Sequence, residues 1–403
     1  MTPPPLHLAV ALDGAGWHPA AWRAEGARPA ELLTPAYWAG LAAEAERGLL
    51  DFVTIEDALG LQTTAFHRPD EDTTLVRGSL DAALIASYLG PLTSRIGLVP
   101  TVNVTHTEPF HVAVGIATLD HASEGRGGLR PQIASRAADA THFGRRTTPQ
   151  LTEEDVRDPE LIARRLRPLF EEAADAVEAT RRLWDSWEDD AEIRDAATGR
   201  YVDRDKIHHI DFTGRHFSVR GPSITPRSPQ GQPLVTSLAH ASVPYEFAAR
   251  AADLVYVTPH SRTGTAEILG QVDAAVAATG RDTEAQPLLR FAELLVFLDE
   301  TPGAAAARKA HLDTLAGTEL TSDAEIFTGT PTELADLLLD WREAGLDGYR
   351  LRPATLPHDL HQITRGLVPE LQRRGAFRTA YDTTTLRAHL GLPHPTSRYA
   401  GKG

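Results

Sequence analysis

The sequence predicts an α/β chain folded as a (β/α)8 TIM barrel with insertions, on three observations. Eight short apolar runs, bounded by Gly, Pro or polar residues, alternate with eight segments of helical spacing along the 403 residues. Most of the runs are continuous rather than alternating, as in parallel strands covered on both faces. No G-x-G-x-x-G opens a helix, which weighs against the structural competitor, a doubly wound open sheet. The GAG at 14–16 follows the first run but has no third glycine at the right offset.

The elements follow in order. LHLAVAL (6–12), between Pro and Gly, is the first strand, and the Ala-, Glu- and Leu-rich stretch 35–48 the first helix. LDFVTIE (50–56) leads into helix 79–89, and SRIGLVPTV (94–102) into helix 109–122. GGLRPQIAS (127–135) has the weakest strand signal and precedes a long helix at 160–187. PLVTSL (233–238) with YEFAARAA, and DLVYVT (253–258) with AEILGQVDAAVAAT, are the next two units. LLRFAELLVFL (288–298) with helix 332–345, and DGYRLRP (347–353) with helix 359–375, complete eight. A barrel of this length forms one domain over 1–403, with insertions at about 185–232 and 299–328. Long insertions are expected to be functional loops or lids, and those that follow strands lie at the catalytic face.

Composition narrows the function classes. Forty basic against 55 acidic residues leave a formal charge of −15, unsuited to a nucleic-acid partner. The absence of cysteine excludes disulfides, thiolate nucleophiles and Cys-ligated metals. The N-terminus lacks a signal-peptide pattern, and no apolar stretch approaches the roughly 18 residues of a membrane span. A cytoplasmic enzyme or binding protein with a small-molecule substrate is expected.

No H-E-x-x-H, G-x-S-x-G or Walker A segment occurs, and the adjacent His208 and His209 do not readily face one metal. His18, His67, His106, His111, His121 and His142 sit near strand ends or helix starts. Glu56 and Asp57 close the second strand, where barrel sites are built, although Asp57 also suits a helix N-cap. Thr101, Asn103, Thr105 and His106 form a polar run after the third strand. Ser237, His240 and Ser242 precede a helix whose N-terminus suits a phosphate, with Pro244 removing one donor. Arg126 and Arg130 are placed to pair with an anion or a carboxylate.

Four stretches carry a resemblance that covers almost the whole chain. They are FVTIED (52–57), LDHASEGR (119–126), the segment from LWDSWEDDA to PQGQP (183–233), and GLVPELQRRGAFRTAY with TLRAHLGL (366–392). In these the sequence resembles the bacterial luciferase-like flavin monooxygenases, in particular the nitrilotriacetate, pristinamycin-synthase and dibenzothiophene-sulfone monooxygenase group.

The resemblance implies a two-component monooxygenase. FMN would bind as FMNH2 at the C-terminal ends of the strands, O2 would be co-substrate, and a separate NAD(P)H:flavin reductase would supply the reduced flavin. It implies Asp57, Asn103, Thr105, Arg130 and Ser242 as flavin contacts and leaves no side chain in a nucleophile's role. Trp17, His18, Phe66, His67 and the 299–328 segment would lie nearest the substrate; core packing is the other reading of Trp17 and Phe66. Family members are commonly homodimers or homotetramers. Several family flavin contacts are replaced: Leu129, Arg130 and Pro131 stand in the fourth-strand motif, Leu166 and Phe170 replace a His and a Tyr, and Ala239, Ala241 and Pro244 replace a phosphate-side Gly-Ser-Gly pattern. Two other readings accommodate these departures: a barrel that has lost FMN catalysis and serves as a non-catalytic subunit or ligand-binding protein, or one that uses a deazaflavin.

Overall fold

The computed structural model describes residues 5–63, 70–148 and 150–400. Eight parallel strands close on themselves: β1 (His7–Leu12), β2 (Phe52–Ile55), β3 (Gly97–Asn103), β4 (Gly128–Gln132), β5 (Leu234–Leu238), β6 (Leu254–Val257), β7 (Leu289–Leu298) and β8 (Gly348–Pro353). Closure is made by β8 against β1, with Arg350 opposite Ala9. The principal helices are α1 (Pro35–Arg47), α2 (Ala82–Leu89), α3 (Pro109–Ala122), α4 (Pro159–Asp185), α5 (Ser242–Ala251), α6 (Arg262–Thr279), α7 (Pro302–Ala316) and α8 (Pro331–Arg342). A last helical run, His358–Gln362 through Val368–Arg373, packs beside α1. The predicted barrel is the observed one.

Period-two alternation along the strands sorts side chains between two environments. Outward residues such as Leu8, Val10, Val53 and Leu351 form the main core with the helices. Inward residues divide by height. Ala9, Phe52, Val99, Leu234, Leu254 and Phe291 fill the lower lumen, closed from below by Leu386, Leu390 and Leu392. Above them come Thr54, Thr101, Arg130, Glu293, Arg350 and Arg352, all buried. The lumen is therefore apolar toward the strand N-termini and charged toward their C-termini.

Both predicted insertions hold regular structure. Residues 299–328 contain α7, capped by Thr301 with Pro302 in its first turn, and a ninth strand, Glu325–Gly329, parallel to the upper half of β7. This strand was not expected; EIFTG is too short to stand out as an apolar run. Residues 185–232 form two small hairpins, Glu192–Asp195 with Arg200–Val202 and Phe212–Thr213 with Ser218–Val219. This second segment follows a helix and leads into β5, so it belongs to the closed end rather than the catalytic face. Gln230 there donates to Asp120 at 2.6 Å and to the Gly127 carbonyl at 2.8 Å, and accepts from the Arg387 N–H at 2.8 Å.

The expectation that Arg126 serves an anion or carboxylate is corrected by its contacts. It donates to the carbonyls of Ser123, Ile96, Gly90 and Thr93 and to the Thr93 hydroxyl, at 2.7–2.9 Å. Its fork ties the turn between α2 and β3 to the turn after α3. Lysine has too few donors and the wrong shape for this. Arg126→Lys is expected to lower stability by about 2–3 kcal/mol, read from the urea midpoint.

Candidate active site

The mouth of the barrel is organised by a loop with a strict geometric demand. After β1 the chain turns at Gly14 and Gly16, the latter at φ +127°. A Cβ on Gly16 would lie 2.4 Å from the Ala354 carbonyl oxygen. Only glycine lets residues 13–18 run against the segment after β8, where Trp17 N donates to Pro353 O, His18 N to Ala354 O and Leu356 N to Ala15 O, at 2.7–3.0 Å.

This loop presents three side chains. Trp17 donates its indole N–H to Ala11 O at 3.1 Å, and the Arg352 guanidinium lies 4.6 Å from its ring centre. His18 is buried, accepts from Ala20 N at Nδ1 and so carries its proton at Nε2, 3.1 Å from Asp313 of α7. Burial holds its pKa below the ordinary value. Asp13 faces the mouth, and its carboxyl makes no hydrogen bond among the described residues.

Beneath Asp13 lies a network of opposed charges. Glu56, one residue past β2, accepts from Arg130 at 2.8 Å and from Arg350 at 2.7 Å. Arg350 also pairs with Glu293 and donates to Thr54 at 2.7 Å. Arg352 pairs with Glu293 and Asp323. Burial alone would raise the Glu56 pKa, but the charges of Arg130 and Arg350 overcome it and hold it at about 2. Asp13 goes the other way: burial first, and then the charge of Glu56, push it up to about 7, with Arg130 opposing. Two neighbouring carboxyls with pKa values driven apart define one permanent anion and one group that gains or loses a proton near neutrality.

The sign of the Asp13 shift gives a test. Between its ordinary value of 3.8 and about 7 the folded protein holds a proton that the unfolded chain has released. Its contribution to stability is therefore full below the lower value and is lost as pH rises through about 7. Asp13→Asn is expected to lose less stability between pH 5 and pH 8 than the parent, as measured by urea midpoints at the two pH values.

Two cavities open beside the network. The larger, about 780 Å³, lies between the ends of β4 and β5 and the helices α4 and α5. Its walls include Ile133, Ile162, Leu166, Phe170 and Phe247, with Arg130, Ser237 and His240 toward the barrel and Ser242 at the start of α5. The smaller, about 220 Å³, is lined by Asp13, Trp17, His18, Trp22, Trp38 and Glu56, among others. The Glu56–Arg130 pair bridges them, since Glu56 faces one and Arg130 the other.

The residues expected from sequence divide between these places. Arg130 and Ser242 line the large cavity, as do Pro131, Leu166, Phe170, Ala241 and Pro244. Trp17 and His18 line the small one. Asp57 accepts from the N–H groups of Ala58 and Ala82, the latter opening α2, and with Asn103 borders a third cavity of about 220 Å³ toward α2 and α3. Asn103 accepts from Thr105 N and His106 N, while Thr105 accepts from Ala134 N at 2.9 Å, so both hydroxyl and amide hold loops in place. His106 stacks on Phe143, and His240 lies 3.9 Å from Asp323. Phe66 and His67 lie outside the described residues. Sequence reasoning missed Asp13, Glu293, Arg350 and Arg352. Asp13 had the same signal as Glu56, an acidic residue closing a barrel strand.

The sequence profile of the luciferase-like monooxygenases matches residues 16–326. The chain belongs to this family. Among characterised relatives it is 30% identical to the N-acetyl-S-(2-succino)cysteine monooxygenase of Bacillus subtilis (strain 168), over 98% of each chain. It is 28% identical to nitrilotriacetate monooxygenase component A of Aminobacter aminovorans, again over 98% of each. The EDTA monooxygenase from Chelativorans sp. BNC1 superposes with a TM-score of 0.81 at 21% identity, covering 97% of this chain and 99% of that one. This luciferase-like monooxygenase is thus a flavin-dependent enzyme whose chemistry uses reduced flavin and O2, within a family whose members work with a separate partner component. Among its described residues no helix is long and apolar enough to cross a membrane.

Proposed function

We propose that the whole chain is the oxygenase component of an FMNH2-dependent pair, a cytoplasmic homodimer or homotetramer fed by a separate NAD(P)H:flavin reductase. It inserts one oxygen atom of O2 into a small organic substrate. The observation that carries the flavin assignment is the large cavity, which gathers Arg130, Leu166, Phe170, Ala241, Ser242 and Pro244. These are positions that the family resemblance assigns to flavin contacts, and sequence order alone does not bring them together.

The residues present suit the group. The volume falls within the range of roughly 300–1,000 Å³ typical of ligand sites. Apolar walls at Ile133, Ile162, Leu166, Phe170 and Phe247 accept an aromatic body and exclude water. At one end the N–H and hydroxyl of Ser242 and the N–H of Val243, at the positive end of α5, would hold an anionic group, while Pro244 has no N–H to offer. At the other end the Arg130 Nε is buried with no hydrogen-bond partner among the described residues. Reduced flavin supplies, when bound, the electrons that activate O2. The chain's own residues orient it, keep the cavity dry and place the Glu56–Arg130 pair between it and the second cavity, which receives the substrate.

Anaerobic titration with FMNH2, followed by its absorbance, tests this. Saturation near micromolar concentration is expected, and Ser242→Ala should weaken binding about fivefold, the equivalent of roughly 1 kcal/mol. No binding of FMN in either redox state, with turnover restored by a reduced deazaflavin, would overturn the choice of cofactor.

A further inference from the structure

The small cavity carries a chemical bias. Its lining combines two carboxyls, Asp13 and Glu56, with three tryptophans, Trp17, Trp22 and Trp38, and includes no Lys or Arg among the described residues. The polar edges of the three indoles are committed: Trp17 to Ala11 O at 3.1 Å, Trp22 to Thr74 O at 2.8 Å and Trp38 to Leu32 O at 3.0 Å. What the rings offer a ligand is their electron-rich faces, although Arg352 takes one face of Trp17.

The surrounding charges are already matched. Arg130 from β4 is held by Glu56 of the segment after β2; Arg350 from β8 by Glu56 and Glu293 of β7; Arg352 from β8 by Glu293 and Asp323. His18 is tied to Asp313. The one charge-bearing group facing the cavity without a partner among the described residues is the carboxyl of Asp13.

We infer that this cavity takes a compact organic cation, a protonated amine whose ammonium meets Asp13 and whose body rests among the indole rings. The inference rests on the monooxygenase reading in one respect: the amine is then the molecule to be oxygenated. A cavity of roughly 150 Å³ accommodates a benzene ring, so about 220 Å³ accepts a benzylamine-sized ligand. An anion would meet two carboxyls and, among the described residues, no free cation. A bound ammonium favours ionised Asp13, so binding releases a proton at neutral pH.

Calorimetry and tryptophan fluorescence on the flavin-free full chain, with benzylammonium, benzyl alcohol and benzoate as probes, test this. Benzylammonium is expected to bind in clear preference to the other two. Its affinity should rise about tenfold from pH 6 to pH 8, following the ionised fraction of a group titrating near 7. The binding heat should depend on the buffer in the manner of proton release. Asp13→Asn should flatten the pH dependence; the parent's own pH series decides the matter if that variant does not fold. Binding of benzoate or benzyl alcohol at equal strength, no binding of any probe, or a pH-independent affinity would each overturn the inference. FMN binding is read separately by flavin absorbance. FMN binding without benzylammonium binding removes the inference alone, and benzylammonium binding without FMN binding removes the FMN assignment alone.

Discussion

Glu293→Ala is expected to cost about 3–5 kcal/mol, the largest loss of any single substitution in the lumen. Glu293 and Arg350 are fully buried, and Arg352 nearly so. Removing the carboxylate leaves, among the described residues, Asp323, half-exposed, as the one carboxylate paired with Arg352 and Glu56 as the one paired with Arg350. Both side chains then sit desolvated and underpaired, with their charge no longer offset by Glu293. The urea midpoint should fall accordingly. Replacing Glu293 and Arg352 together by Leu and Met should recover part of the loss, because a buried pair exchanged for apolar groups is often close to neutral. A near-parental midpoint for Glu293→Ala would show that the upper lumen is wet and the network weak.

Gly16→Ala is the second large effect. The substitution combines a backbone conformation that L-residues rarely adopt with a clash of the new Cβ against Ala354 O and Thr355 Cα at 2.4 and 2.6 Å. These are backbone atoms of the segment after β8, tied in turn by Ala354 N to Val296 O, so they cannot give way as a side-chain tip would. A cost of roughly 2–4 kcal/mol is expected. The functional loss should exceed what stability explains, because the same loop carries Asp13, Trp17 and His18. Substrate KM should rise while FMN binding in the cavity beyond Arg130 stays near parental. A variant with parental KM would show that the loop does not shape the substrate site.

The barrel was legible because burial on both faces leaves long apolar runs, and those eight runs coincide with the eight strands. β4 gave the weakest signal for a physical reason: Gly128, Arg130 and Pro131 occupy it, since its inward side meets charge rather than core. The charged lumen was hidden by the same logic. Glu293 and Arg350 sit within apolar stretches, and only the pairing of the strands sets them against each other and Arg350 against Glu56. The helix at 302–316 carried a visible start in Thr301-Pro302, yet its low hydrophobic contrast concealed it. For the site, the resemblance pointed to Arg130 and Ser242 from residue order, but their sharing one cavity with Leu166 and Phe170 depends on the crossing of α4 over β4 and β5. Asp57 and Asn103, flavin contacts in that reading, border a different cavity.

The ninth strand has a consequence for the molecule in concentrated solution. A closed barrel has no unpaired strand edge, but Glu325–Gly329 pairs, among the described residues, with β7 alone and so restores one. Such an edge is a template onto which a foreign strand can add, and it is ordinarily kept short or charged. Both devices are present: the strand has five residues, and its first, Glu325, holds His260 at 2.9 Å. Substituting Glu325 by Val would leave a short apolar ribbon, and self-association of the purified protein is the behaviour to watch for in such a variant.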